Sequence, residues 1–267
     1  MISSESLLTR RQAIALTLAG LMIAAPGLAA LDGDPSRILA PTGKLRAGLY
    51  TGTPTSILNS TDKEPRGVGY EIGRELARRL QVEYQPVIFS KNAEVQQALK
   101  SGAVDVAFTN ASAARAKEVD FGPPYLQIEL GYLVPPGSAI TELSAIDTAG
   151  KRVGVTTGST SEATLSRELK NAELVRAPTF DDTIAQLSAH QIDAFATNKA
   201  TLFEIAEKLP GSHVLDGRWG VERHAIAIPK GREAGLEFLA AFTRDIIAAG
   251  LVQDAIGRAG LKGALAP

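Results

Sequence analysis

The sequence has no cysteine in 267 residues, which excludes disulfides, thiolate metal ligands and cysteine nucleophiles. It has no excess of either charge, with a formal net charge of -1, and so no field to gather nucleic acid or an anionic membrane. Histidine is scarce. His190, His213 and His224 are scattered without metal-ligand spacing, and none accompanies a G-x-S-x-G nucleophile motif. No metal or cofactor is expected. Gly154 to Gly158 includes two glycines but no P-loop lysine, so a cradle for nucleotide phosphates is unsupported. Outside the N-terminus no apolar run is long enough for a bilayer, which takes about 20 residues. What remains is ordinary globular material, 45% hydrophobic and 21% charged, with length for one or two domains.

The N-terminus reads as a targeting segment. Arg10 and Arg11 precede an apolar run from Ala13 to Ala25, broken by Pro26-Gly27, and Gly27-Leu28-Ala29 supplies a small-x-small cleavage pattern. The run has no polar face, which excludes an amphipathic helix, and it is short for a spanning one. Thr9-Arg10-Arg11-Gln12 resembles the twin-arginine export motif, with Ala13 where a bulky residue usually follows, so Sec and Tat routes both stay open. Residues 1–29 are therefore expected to be a signal peptide. With no cysteine after the cleavage site, the mature chain is expected to be periplasmic without a lipid anchor.

Beyond an irregular leader at 31–43, short β-rich runs alternate with helical patterns, which predicts βαβ units. Strands are expected at 45–49, 82–89 and 104–108, with helices at 71–80 and 93–100. Ile72, Leu76 and Leu80 form an apolar stripe opposite arginines. A second set follows: strands at 152–156, 173–177 and 193–197, helices at 161–169 and 182–189. Asp181-Asp182 suits a helix start. Two extended runs, 130–134 before Pro135-Pro136-Gly137 and 225–228 before Pro229-Lys230-Gly231, read as paired crossings between two lobes. A helix at 233–249 then returns to the first lobe.

The segments GVGYEIGRELARRLQVEYQPV at 67–87, SGAVDVAFTNASAARAKEVDFGPPY at 101–125, GKRVGVTTGSTSEATL at 150–165 and HQIDAFATNKATLF at 190–203 carry a resemblance. Together they resemble the amino-acid-type bacterial extracellular solute-binding proteins, family 3, which are substrate-binding components of ABC transporters. The likeness runs from Gly43 to Gly263. It implies an α/β, two-lobed type II periplasmic binding protein fold, each lobe a mixed, mainly parallel sheet flanked by helices, joined by two hinge crossings. The expected bounds are 43–132 plus 227–267 for the first lobe and 133–226 for the second. The implied partners are a small anionic or zwitterionic ligand and an inner-membrane ABC permease. The chain itself is expected to be monomeric and not membrane-spanning.

Candidate site residues come from strand ends, since ligands of open α/β sheets sit outside the carboxyl ends of strands. Thr109, Asn110 and Ser112 follow one such strand, and Arg115 comes just after with a planar fork suited to a carboxylate. The resemblance implies that Arg115 holds the ligand α-carboxylate; otherwise it would pair with Glu118 or Asp120. Ser159, Thr160 and Ser161 begin a helix whose free N–H groups suit an anion, although Ser159 or Ser161 could simply cap it. Relatives usually place an acid for the ligand ammonium after the first strand or after the strand at 193–197. Here those places hold Tyr50 and Asn198, so the ligand either lacks a free ammonium or meets it through carbonyls and Asn198. Tyr50 and Phe89 could wall the ligand's apolar part or serve as packing.

Two other classes compete. Some exported relatives of this fold are dehydratases with a cleft carboxylate; by elimination Glu71 or Glu129 would be that acid here. A sensory ectodomain would need a tethering helix, and the expected ending 260–267 has none; a soluble receptor docking onto a separate sensor stays open. Binding is the expected function, and catalysis is not.

Overall fold

The computed structural model describes residues 33–51, 53–58 and 65–267; the predicted export segment, 1–29, lies outside them. The leader is not wholly irregular. Asp34 accepts from the Ser36 N–H at 2.9 Å and caps a short helix, α1 (Pro35–Leu39), with proline at its first turn.

The first α/β set comprises β1 (Lys44–Tyr50), α2 (Val68–Leu80), β2 (Glu83–Phe89), α3 (Asn92–Lys100) and β3 (Val106–Asn110). β1 pairs in parallel with both β2 and β3. Helix α2 buries Ile72, Leu76 and Leu80 and turns Arg74, Arg78 and Arg79 outward, as its apolar spacing predicts. A 3₁₀ turn at Arg115–Lys117 then leads into β4 (Val119–Val134), a strand of 16 residues.

The second set repeats the plan: β5 (Arg152–Thr156), α4 (Thr160–Glu168), β6 (Glu173–Ala177), α5 (Phe180–Ser188) and β7 (Ala194–Asn198), with β5 parallel to β6 and β7. The chain continues through α6 (Lys199–Lys208), β8 (His213–Val214), β9 (Gly220–Pro229), α7 (Leu236–Ala248), α8 (Leu251–Ala259) and β10 (Ala264–Leu265). β9 lies antiparallel to β3 and β4, and β4 antiparallel to β7. The strand order is therefore β2-β1-β3-β9-β4-β7-β5-β6, with β4 and β9 joining the two parallel sets.

The repetition reaches individual side chains. In the first set Arg46 Nη2 donates to Asp105 Oδ1 at 2.7 Å and to the Gly102 carbonyl at 2.9 Å. In the second, Arg152 Nε donates to Asp193 Oδ2 at 3.3 Å and its Nη2 to the His190 carbonyl at 2.7 Å. Each arginine thus ties the start of one strand to the turn before its parallel neighbour. Gly102 and His190 occupy equivalent turn positions, both left-handed, with φ of 72° and 55°. The core divides in the same way. Leu45, Leu49 and Leu76 pack with Leu239, Phe242 and Ile246 of α7, so the last helices do return to the first set. Tyr132, Val153, Val155 and Leu165 form a separate cluster in the second.

The crossings and the last helix also differ from the expectation. The first crossing begins at Val119 rather than near Leu130, because the register shifts around Pro124 let a strand pass through Gly122-Pro123-Pro124. The second begins at Gly220 rather than Ala225. The helix expected at 233–249 divides into a 3₁₀ turn at Glu233–Gly235 and α7, and Gly250, with φ of 74°, turns the chain into the separate α8.

Candidate functional site

Five of the predicted side chains meet where the two strand sets touch. Strand β3 ends in Thr109 and Asn110, both buried. The turn that follows brings Arg115 back over that end, where its Nη1 donates to Thr109 Oγ1 at 2.8 Å and to the Asn110 carbonyl at 3.2 Å. Ser112 Oγ accepts from the Arg115 N–H at 3.3 Å and holds the turn. The expected alternatives for Arg115 are taken by others, since Glu118 pairs with Lys100 and Asp120 with Lys230. Arg115 Nε and Nη2 make no hydrogen bond among the described residues, so two edges of the guanidinium are open.

Asn110 joins the two sets. Its Oδ1 accepts from the Arg223 N–H on β9 at 2.9 Å, and its Nδ2 donates to Thr160 Oγ1 on α4 at 3.2 Å. Thr160 is the first residue of α4. Ser159, before it, is the N-cap, its Oγ accepting from the Glu162 N–H at 3.0 Å, while Ser161 is buried behind. The Glu162 carboxylate accepts from the Gly158 N–H at 2.7 Å, so this helix start already has an anion of its own.

Tyr50 and Phe89 are register partners at the ends of β1 and β2 and pack against the same apolar cluster. Burial raises the Tyr50 phenol above its ordinary pKa, with the Thr55 hydroxyl opposing; the charges of Glu222 and Arg115 act on it in opposite senses. Asn198 stands apart. It caps α6, Oδ1 accepting from the Thr201 N–H at 3.0 Å, and it makes no hydrogen bond to the cluster.

Sequence reading missed two residues of this cluster, Glu222 and His224 on β9. They are only 8% and 5% exposed, and His224 Nε2 lies 3.1 Å from Glu222 Oε2. Burial alone would raise the Glu222 carboxyl. The hydrogen bond and charge of His224, then Thr160 and Arg115, outweigh it and bring it below the usual carboxylate range. The signal was available: Glu222 and His224 are in phase with Ile226 and Ile228 on the inward face of one strand. The acids proposed by elimination are engaged elsewhere. Glu71 pairs with Arg258, and Glu129 with Lys199 and Arg218. A depression of about 350 Å³ between α2 and α8, lined in part by Glu71, Ile72, Ile246 and Arg258, contains none of the predicted ligand-binding residues.

Two α/β halves joined by two long crossing strands, with polar strand ends gathered at their junction, define a two-lobed binding protein. The chain belongs to the bacterial extracellular solute-binding proteins, family 3, which it matches over residues 45–255. It is 23% identical over 227 residues to the ABC transporter glutamine-binding protein GlnH of Bacillus subtilis, covering 80% of this chain and 83% of that one. It is 27% identical over 199 residues to the L-cystine-binding protein TcyJ of Escherichia coli, covering 72% and 73%. Among solved structures, a solute receptor for L-cysteine from Neisseria gonorrhoeae superposes with a TM-score of 0.73 at 23% identity, over 85% of this chain and 93% of that one. The fold is thus the two-lobed type II architecture. Among the described residues no helix is long and apolar enough to cross a membrane.

Proposed function

We propose that this chain captures a free amino acid between its lobes and delivers it, unaltered, to an inner-membrane ABC permease. The lobes in this reading are 43–132 plus 227–267 and 133–226. The protein acts as a periplasmic monomer, exported by its first 29 residues, by Sec or Tat, and free of a lipid anchor. One observation carries the reading. Arg115 spends Nη1 on the end of β3 and keeps the rest of its fork open beside Thr160 of the opposite strand set. A guanidinium fixed by one edge and free on others suits bidentate capture of a carboxylate. The named relatives bind glutamine and cystine, both of which carry an α-carboxylate.

A thermal-shift panel of the proteinogenic L-amino acids and L-cystine tests this, because a ligand bound only by the folded state raises its melting temperature. At least one should stabilise the wild-type protein. Arg115→Ala should abolish that shift while leaving the ligand-free melting temperature near the wild-type value. An undiminished shift in Arg115→Ala would remove Arg115 from the site.

A further inference from the structure

We infer that Glu222 receives the positive end of the ligand, with His224 as the residue that positions it; this rests on the amino-acid reading above and gives that site its second pole. Asp105 and Glu222 are the buried acids among the described residues. Asp105 is fully engaged, by Arg46 and Arg232 at 2.7 and 2.9 Å. Glu222 has no arginine or lysine partner; its donors are the imidazole of His224, at 3.1 Å, and the Thr160 hydroxyl. An ionised carboxylate has about four acceptor positions, so these two donors leave it capacity to accept from a ligand.

Its surroundings say what would complete it. Arg115 has no ion-pair partner among the described residues, yet its charge reaches Glu222, and both reach Tyr50. The site therefore presents one positive and one negative group at a common junction, with Thr160, Asn110 and Tyr50 as neutral neighbours. A ligand with only a carboxylate would set its anion on Arg115 against the Glu222 charge. A ligand with carboxylate and ammonium matches both poles. His224 adds a further vacancy of bonding: its Nδ1 is buried without a partner. The ring meets Glu222 at one oxygen, which fixes the carboxylate while leaving its other oxygen as an acceptor for an ammonium.

The test takes the amino acid of the panel that binds wild type best and compares it with the same compound lacking its α-amino group, by isothermal titration calorimetry. Wild type should prefer the amine by about 10- to 100-fold, the range of a hydrogen bond to a charged group. Glu222→Gln should lose most of that preference by weakening the amino acid alone, whereas Glu222→Asp should keep part of it. Arg115→Ala should weaken both compounds. Equal affinity of wild type for the two compounds would overturn the assignment even if the Glu222 variants fail to fold. So would an undiminished preference in Glu222→Gln. Wild type that binds no amino acid of the panel would overturn the transport reading itself, and this assignment with it.

Discussion

At the scale of single residues, the account separates groups that hold the fold from groups left open for a ligand. Asp105 belongs to the first kind. Burial raises its carboxyl pKa, but hydrogen bonds from Arg46 and Arg232 outweigh that and set it below the usual value. A carboxyl depressed in the folded state contributes stability above its unfolded pKa, about 3.9, and loses it as pH falls through the folded value. Asp105→Asn should therefore cost about 3 kcal/mol near neutral pH, since two arginines lose a buried partner, and should show a smaller further loss on acidification. Denaturant unfolding at neutral and acid pH measures both. His190 is a second case: its left-handed backbone matches a position that Gly102 fills in the first set, and a β-carbon there is strained. His190→Gly should raise stability by about 0.5–1 kcal/mol, read from the same denaturant curves, because its hydrogen bonds, to Leu187 and from Arg152, are made by the backbone and survive the change.

At the scale of elements, periodicity made the repeated βαβ sets legible almost residue by residue. The strands expected at 152–156 and 173–177 coincide with β5 and β6, because an apolar run ending in Thr-Gly or Pro-Thr leaves little ambiguity. The two crossing strands were legible only in part. Gly122-Pro123-Pro124 lies before the crossing expected at 130–134, yet shifts in register absorb the prolines into β4. Glu222-Arg223-His224 precedes the run expected at 225–228, yet it belongs to β9, and its alternation puts Glu222 in the buried phase. Arg115, Thr109 and Asn110 were named because strand ends are a rule of open sheets, and they lie together at the end of β3. Glu222 was missed because it lies within a strand rather than at its end. Asn198 fell between the two kinds of evidence. Its side chain is committed to the α6 cap, so Asn198→Ala should lower stability by about 1 kcal/mol while changing ligand affinity little. A melting curve and a titration on the same variant separate the two effects.

At the scale of the molecule, the proposed function follows from two largely separate apolar clusters, one in each strand set, with β4 and β9 running between the sets. Few covalent crossings leave relative motion to the junction, where Asn110 and Thr160 touch across it. A ligand that contacts Arg115 on one side and the head of α4 on the other favours the closed arrangement by its differential affinity, and by no more than that. Small-angle scattering should then show a smaller radius of gyration with the bound amino acid than without it. The same closure would serve an enzyme, and a buried Glu–His pair at the junction is the kind of group an enzyme would use. Fate of the bound molecule separates the two. The decisive measurement is mass spectrometry of the small molecule retained by the exported, purified protein, released by denaturation and compared before and after prolonged incubation. Capture for transport predicts one amino acid, recovered at constant mass. Recovery of a dehydrated or otherwise altered product, or of no amino acid at all, would contradict it.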